Sequence, residues 1–201
     1  MEYKNYNVFR TIKFEDKQIK NSITALAIFM LSVLAVRTIF IPKSEFVFDL
    51  IYAAAVIWAF HKSYESLHQD YVSYAFLVFA MTLHNLNLYA SSPLGIKFDH
   101  YMHFVGGLAI AIISDRFFVE KMGKAKKFLL ILFFTLGVGA LGEVIEWLGF
   151  TFLGFGEGMF FHGMGDEIEW SNAIIDMIFN GLGAITIGLF TMNTTKRPPS
   201  L

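Results

Sequence analysis

Residues 171–192, SNAIIDMIFNGLGAITIGLFTM, form an apolar stretch that carries three polar side chains at regular intervals. The stretch is long enough to cross the hydrocarbon core of a bilayer, which takes about 20 apolar residues in a helix. Asn172, Asp176 and Asn180 are spaced four apart, so a helix places all three on one face. The insertion of a charged side chain at the middle of the membrane costs about 2.5 to 3.5 kcal/mol, so we expect such a side chain to have a partner or a function. The stretch predicts a membrane-spanning helix whose polar face contacts the rest of the protein.

The composition of the whole chain is also that of a membrane protein. Of its 201 residues, 55% are hydrophobic, 23 are Phe and only 16% are charged, whereas a soluble domain has about 25% charged residues. The 16 basic and 17 acidic side chains give a net charge of −1, which lacks the basic excess that nucleic-acid binding requires. The chain has no Cys, so disulfides and thiolate metal ligands are excluded. We expect membrane lipids, and not nucleic acid, as its partners.

Six stretches have a length and apolarity that suit membrane-spanning helices. They are residues 23–41, 46–60, 71–90, 100–118, 128–153 and 171–192. The second is the shortest, and Asp49 lies near its start. The sequence predicts an all-α, polytopic membrane helix bundle of about six transmembrane helices, preceded by a segment at 1–22 and followed by a tail at 193–201.

The positions of Lys and Arg predict how this bundle is oriented. Lys and Arg next to spans stay on the cytoplasmic side of the membrane. If the N-terminus is cytoplasmic, 13 of the 16 basic residues lie in cytoplasmic segments. We expect a multi-pass protein of the cell membrane with both termini in the cytoplasm.

This orientation places the titratable and amide side chains within the spans at one depth, in the outer half of the membrane. They are Asp99, His100 and His103 in span four, Glu143 and Glu146 in span five, Asn172, Asp176 and Asn180 in span six, and His84 in span three. The polar faces of spans four, five and six are flanked by glycines, and small residues let helices approach closely in lipid. We expect these three faces to meet at the centre of the bundle.

Imidazoles, carboxylates and amides that converge in this way have three interpretations. They match the ligands of a divalent metal ion, namely zinc, manganese or iron, although no HExxH motif is present. They also suit a hydrogen-bonded network that joins the helices, or a path for a transported proton or cation. The sequence leaves all three open.

Three motifs in order resemble a known family. DHYMHFVGG at 99–107, GALGEVIEW at 139–147 and SNAIIDMIFNGLGA at 171–184 are similar to the D-x-x-x-H-F-x-x-G, E-x-x-E-[WF] and D-x-x-x-[DN]-x-x-G-A motifs of YjdF-like inner-membrane proteins, over about residues 98–190. That family has no established activity. VanZ-like proteins look more distantly similar, because their second motif usually has Gln at the place of Glu146. The resemblance implies a polar centre made of Asp99, His103, Glu143, Glu146, Asp176 and Asn180.

As an enzyme, the chain would suit hydrolysis or transfer on a lipid headgroup or lipid-linked substrate. Asp99, His103, Glu143 and Asp176 would hold the metal ion. Glu146 would be the general base. His100 or His84 would act as an acid or would orient a metal ligand. Asn172 and Asn180 would be supporting polar groups. Polar residues are few in the inner half of the spans, which favours a pocket over a pore. The alternatives are a proton- or cation-coupled transporter and a structural membrane protein with a buried polar network.

Overall fold

A computed structural model describes residues 5–40, 44–86, 88, 92–118, 123–153 and 166–193. Within these ranges the chain forms six α-helices and no strand, which confirms the all-α prediction. The helices are α1 (Asn5–Phe40), α2 (Ser44–Ser63), α3 (Tyr71–Asn85), α4 (Phe98–Phe117), α5 (Lys124–Leu153) and α6 (Asp166–Asn193), with a short 3₁₀ turn at Pro93–Gly95 between α3 and α4.

Three of the helices contain a segment long and apolar enough to cross a membrane. These segments are Asp16–Arg37, Lys124–Ile145 and Ser171–Met192. The other three predicted spans fall on α2, α3 and α4. The span predicted at 71–90 is longer than α3, which ends at Asn85, and its residues 87, 89 and 90 lie outside the described residues. α3 has 15 residues and is about 22 Å long at 1.5 Å per residue, shorter than a hydrocarbon core of roughly 30 Å. The count of six crossings and the position of the termini stay predictions.

Helices α4 and α5 run antiparallel, which defines the two ends of the bundle. Near the start of α4, His103 lies 3.7 Å from Glu143 in the second half of α5. Near the end of α4, Asp115 pairs with Lys127 in the first turn of α5 at 2.8 Å. We call the end at which α4 and α6 begin the acidic end, and the opposite end, at which α5 begins, the basic end.

At the basic end, ion pairs and a helix cap join α3, α4 and α5. Arg116 lies 2.9 Å from the Asp70 carboxylate, and Asp70 caps the first turn of α3 by accepting a hydrogen bond from the Ser73 backbone amide. Asp115 is 4% exposed and pairs with Lys127. A buried charge is tolerated when it is paired, so this end of the bundle is closed by paired side chains.

Helices α1, α2 and α3 share a second polar contact that sequence analysis missed. The Thr24 hydroxyl lies 3.0 Å from Nδ1 of His61 and 2.8 Å from the hydroxyl of buried Tyr74. It also donates a hydrogen bond to the Lys20 carbonyl within α1. Tyr74 packs edge-on against Tyr64 with ring centroids 5.9 Å apart. Thr24, His61 and Tyr74 come one from each helix, so their contacts join α1, α2 and α3.

Glycines bring α4 and α6 into backbone contact. A Cβ placed on Gly107 would lie 2.6 Å from the Asn180 carbonyl oxygen, and one on Gly183 would lie 2.7 Å from the Leu108 nitrogen. No side chain fits at either position, so the two helices cross as closely as their backbones allow. This crossing sets the separation of the polar faces that lie toward the acidic end of both helices.

Gly107→Ala should therefore destabilise the protein, because the added methyl group meets backbone that cannot move aside. Overpacking of this kind costs about 1 to 3 kcal/mol. The matched control is Gly106→Ala, since a Cβ on Gly106 meets nothing within 4 Å. Thermal unfolding in detergent should show a lower Tm for Gly107→Ala and an unchanged or higher Tm for Gly106→Ala. Equal Tm values for the two variants would contradict the close crossing.

Candidate metal centre

The polar faces of α4, α5 and α6 meet at the acidic end of the bundle. α4 contributes Asp99, His100 and His103 from its first two turns, α5 contributes Glu143, and α6 contributes Asn172, Asp176 and Asn180. The spacing of four residues between Asp99 and His103, and along α6, places each set on one helical face. The residues reach one another because α4 and α6 lie side by side at the glycine crossing.

Asp176 is at the centre of this cluster and is fully buried. Its Oδ1 lies 2.6 Å from Nδ1 of His100. Its Oδ2 accepts a hydrogen bond of 2.6 Å from the Asn172 side-chain amide. The His100 ring stacks on Phe179, with centroids 5.4 Å apart, which fixes the plane of the imidazole. Both oxygens of this carboxylate are therefore held in place by neighbours.

His103 lies between the carboxylates of all three helices. Its Nε2 is 3.7 Å from Oδ1 of Asp99 and 3.7 Å from Oδ1 of Asp176. Its Nδ1 is 3.7 Å from Oε1 of Glu143 and 3.1 Å from the Asn180 amide. These separations from the carboxylates exceed hydrogen-bond length, so the imidazole has acidic groups around it without a direct bond to any of them.

One side of the cluster leads to solvent through Lys97. Its ammonium donates a hydrogen bond of 3.2 Å to Oδ1 of Asn172, and the Lys97 side chain is exposed. Asn172 in turn donates to Oδ2 of Asp99 at 3.2 Å. The positive charge of Lys97 thus lies at the rim of the cluster, and Asn172 connects it to the carboxylates of Asp99 and Asp176.

Two overlapping sets of side chains could each hold a metal ion. They are Asp99, His100 and Asp176, and His103, Glu143 and Asp176. Within each set, one nitrogen or oxygen atom from every residue lies within 4.8 Å of the others. Ligand atoms bound to one ion at about 2.0 to 2.2 Å lie no farther apart than this. The geometry is therefore compatible with coordination by either set.

The carboxylates of the cluster have surroundings that suit either a proton or a bound cation. In the part of the chain that the structure describes, the ion-pair partners of Asp99, Glu143 and Asp176 are histidines alone. Oε1 of Glu143 is buried and makes no hydrogen bond within the same part. Carboxylates in a low-dielectric interior need protons or a cation nearby.

Seven of the nine side chains that the sequence analysis selected come together here. They are Asp99, His100, His103, Glu143, Asn172, Asp176 and Asn180. His84 instead pairs with buried Asp49 of α2 at 3.5 Å. Glu146 belongs to α5, but its side chain lies outside the described residues. The assigned roles of all nine side chains stay predictions.

Lys97 and Phe179 are neighbours of the site that were not predicted from the sequence, and neither was the pairing of Asp49 with His84. Lys97 was used only to predict the orientation in the membrane. It lies two residues before Asp99, and this proximity already indicates that it lies near the site. Phe179 lies three residues after Asp176, a spacing that brings side chains together on one helix. The pairing of Asp49 with His84 joins two different helices, and no local pattern reveals it.

These features define a class of protein, a multi-helical membrane protein with a buried centre of histidines and carboxylates. The chain belongs to the family described as "Predicted membrane protein (DUF2238)", whose model matches residues 21–197, and this YjdF-like family is the one that the motifs indicated. No curated protein and no solved structure matches the chain. The more distant similarity to VanZ-like proteins stays a prediction.

Asn172→Ala should destabilise the metal-free protein, because one amide serves both Asp99 and Asp176. A buried polar group that loses its partner costs about 1 to 3 kcal/mol. Chemical denaturation in detergent with EDTA present measures the change in the free energy of unfolding. Ser171→Ala is the control, since Ser171 is the exposed preceding residue. If Asn172→Ala were as stable as this control, the amide would not stabilise the cluster.

Proposed function

We propose that this protein is a divalent-metal-dependent membrane enzyme that hydrolyses or transfers the headgroup of a lipid or lipid-linked substrate. The observation that carries the proposal is the set formed by His103, Glu143 and Asp176, whose ligand atoms lie within 4.8 Å of one another at the meeting of three helices. A set drawn from three helices is assembled by the fold as a whole, and no single helix could supply it.

In this proposal His103, Glu143 and Asp176 are the ligands of the ion, and Asp99 is close to them. One imidazole with carboxylates suits zinc, manganese or iron. Asn180 contacts Nδ1 of His103. The contact atom of Asn180 is its side-chain amide nitrogen, which donates to Nδ1 and holds the imidazole ring in place.

The remaining polar residues orient the ligands or move protons. His100 holds Oδ1 of Asp176 and Asn172 holds Oδ2, so the central carboxylate has one orientation. A bound divalent ion polarises a phosphoryl or carbonyl oxygen and makes water a stronger nucleophile. Hydrolysis places the oxygen of water on phosphorus or carbonyl carbon and its proton on the leaving alcohol, with Glu146 as general base.

The location of the site supports a lipid substrate. Large apolar side chains are exposed along the helices, including Phe29, Trp58, Phe133 and Phe190, as expected for surfaces that face lipid. The site lies toward the acidic end of these helices, with exposed Lys97 at its rim. A lipid can place its tails against such a surface while its headgroup reaches the rim.

A pocket is better supported than a transport path. Ala111, Ile131 and Ala184 form a buried apolar cluster between α4, α5 and α6. Along α4 this cluster lies between His103 and Asp115, so it separates the candidate metal centre from the ion pairs of the basic end. A proton or cation path requires polar groups to continue through the membrane, and near this layer the buried polar side chain that the structure describes on α5 is Thr135.

Binding of a divalent ion should stabilise the folded protein. After removal of metal with EDTA, added Zn²⁺ or Mn²⁺ should raise the Tm, because an ion that binds only the folded state stabilises it by about 2.7 kcal/mol at 100 times its Kd. His103→Gln and Glu143→Gln should show a smaller rise in Tm than wild type, since each removes a ligand. In the same samples, release of headgroups from a total lipid extract should require both the added ion and Glu143.

The matched control is Asp49→Asn. Asp49 is a buried carboxylate that pairs with a histidine, as Asp176 does, but it lies outside both ligand sets. This variant should keep the full response to metal. A wild-type Tm that does not respond, or a response shared equally by His103→Gln, would contradict the proposal and leave a hydrogen-bonded network.

The proposal also orients the acidic end toward the outside of the cell membrane. Because the chain has no cysteine, single substitutions can report which side a residue occupies. Ser92→Cys, between α3 and α4, should react with a membrane-impermeant maleimide on intact cells. Lys126→Cys, at the start of α5, should react only after the cells are permeabilised. The reverse pattern would place the site on the cytoplasmic side.

A further inference from the structure

We infer that the centre holds two divalent ions, bridged by the carboxylate of Asp176. This inference rests on the proposed function and extends it. His103 and Glu143 complete the first site, and Asp99 and His100 complete the second.

The position of Asp176 is the first support for the inference. It is the one residue common to both candidate ligand sets that the described residues form. Its Oδ1 faces both imidazoles, at 2.6 Å from Nδ1 of His100 and 3.7 Å from Nε2 of His103. Both imidazoles thus approach the same oxygen, while Oδ2 is held by the amide of Asn172, so Asp176 can serve both ligand sets through Oδ1.

Apart from Asp176, no residue belongs to both ligand sets. Asp99 and His100 come from the first turn of α4, whereas Glu143 comes from α5 and His103 from the next turn of α4. Each site thus has one imidazole, one carboxylate of its own and a share of Asp176. Paired ions in such centres lie about 3.5 to 4 Å apart, a separation that one bridging carboxylate spans.

The balance of charge also favours two ions when an anionic substrate is bound. Metal ligands are deprotonated, so the three described carboxylates of the two sets would together carry a charge of −3 as ligands; one divalent ion would then leave the centre negative and two would leave it with a single positive charge. Lys97 adds a further positive charge at the rim. A centre with one ion repels a phosphate group, whereas a centre with two ions attracts it. The substrate class that follows is a phosphate ester, such as a phospholipid headgroup.

The test is the number of ions that the purified protein binds. Full-length protein in detergent is stripped with EDTA, dialysed against buffered Mn²⁺ and analysed by mass spectrometry for metal per chain. Wild type should hold about two ions, one for each ligand set. Asp99→Asn and His100→Gln should each hold about one, and so should Glu143→Gln, since each removes a ligand of one site only.

Electron paramagnetic resonance of the same Mn²⁺-loaded samples provides a second readout. Two ions at about 3.5 to 4 Å couple magnetically, so wild type should give the spectrum of a coupled pair. Asp99→Asn and Glu143→Gln should give the spectrum of isolated Mn²⁺. The control is His68→Asn, because His68 is exposed and lies outside both sets. Its left-handed φ of 52° is one that Asn tolerates, and it should keep both ions.

The outcomes separate this inference from the proposal on which it rests. One ion in wild type, with His100→Gln also retaining one, would overturn the two-ion centre and leave a single-metal enzyme. No ion in wild type would overturn both. Two ions in wild type and in Asp99→Asn alike would place the second ion elsewhere and would also overturn the inference.

Discussion

The burial of the Asp176 carboxylate is the constraint on which the rest of the acidic end depends. A carboxylate without solvent must be neutralised or paired, since an isolated buried charge is prohibitively costly. Asp176 is fully buried and is met by His100 and Asn172, with His103 beyond hydrogen-bond reach. Because these partners come from α4 and α6, the charge can be accommodated only when both helices are in place.

The packing of the helices therefore determines the geometry of the site. Gly107 and Gly183 let the backbones of α4 and α6 touch, and Gly139 of α5 lies where a Cβ would meet the Asn180 side chain. These contacts set how far the imidazoles of α4 stand from the carboxylates of α5 and α6. A larger residue at Gly107 would move His103 away from Asp176 without altering either side chain.

Much of this arrangement could be predicted from the sequence, because helical period is local information. Spacing within α4 and α6 placed Asp99 with His103, and Asn172 with Asp176, on shared faces. Contacts between helices depend on the rotation of each helix about its own axis, which spacing does not determine. His84 therefore pairs with Asp49 instead of joining the main cluster, and the contact of Thr24 with His61 and Tyr74 was missed. α3 ends at Asn85, and Asn85 and Asn87 are residues of a type that often occurs at helix C-termini.

X-ray absorption spectroscopy of the zinc-loaded protein tests most directly whether this cluster is a metal centre. Nitrogen and oxygen ligands bind zinc at about 2.0 to 2.2 Å, and an imidazole ligand adds a characteristic outer-shell signal. We predict that signal in wild type and its reduction in His103→Gln. Zinc without imidazole scattering, or a spectrum unchanged in His103→Gln, would contradict the metal centre and leave Asp176 and its neighbours as a network that joins the helices.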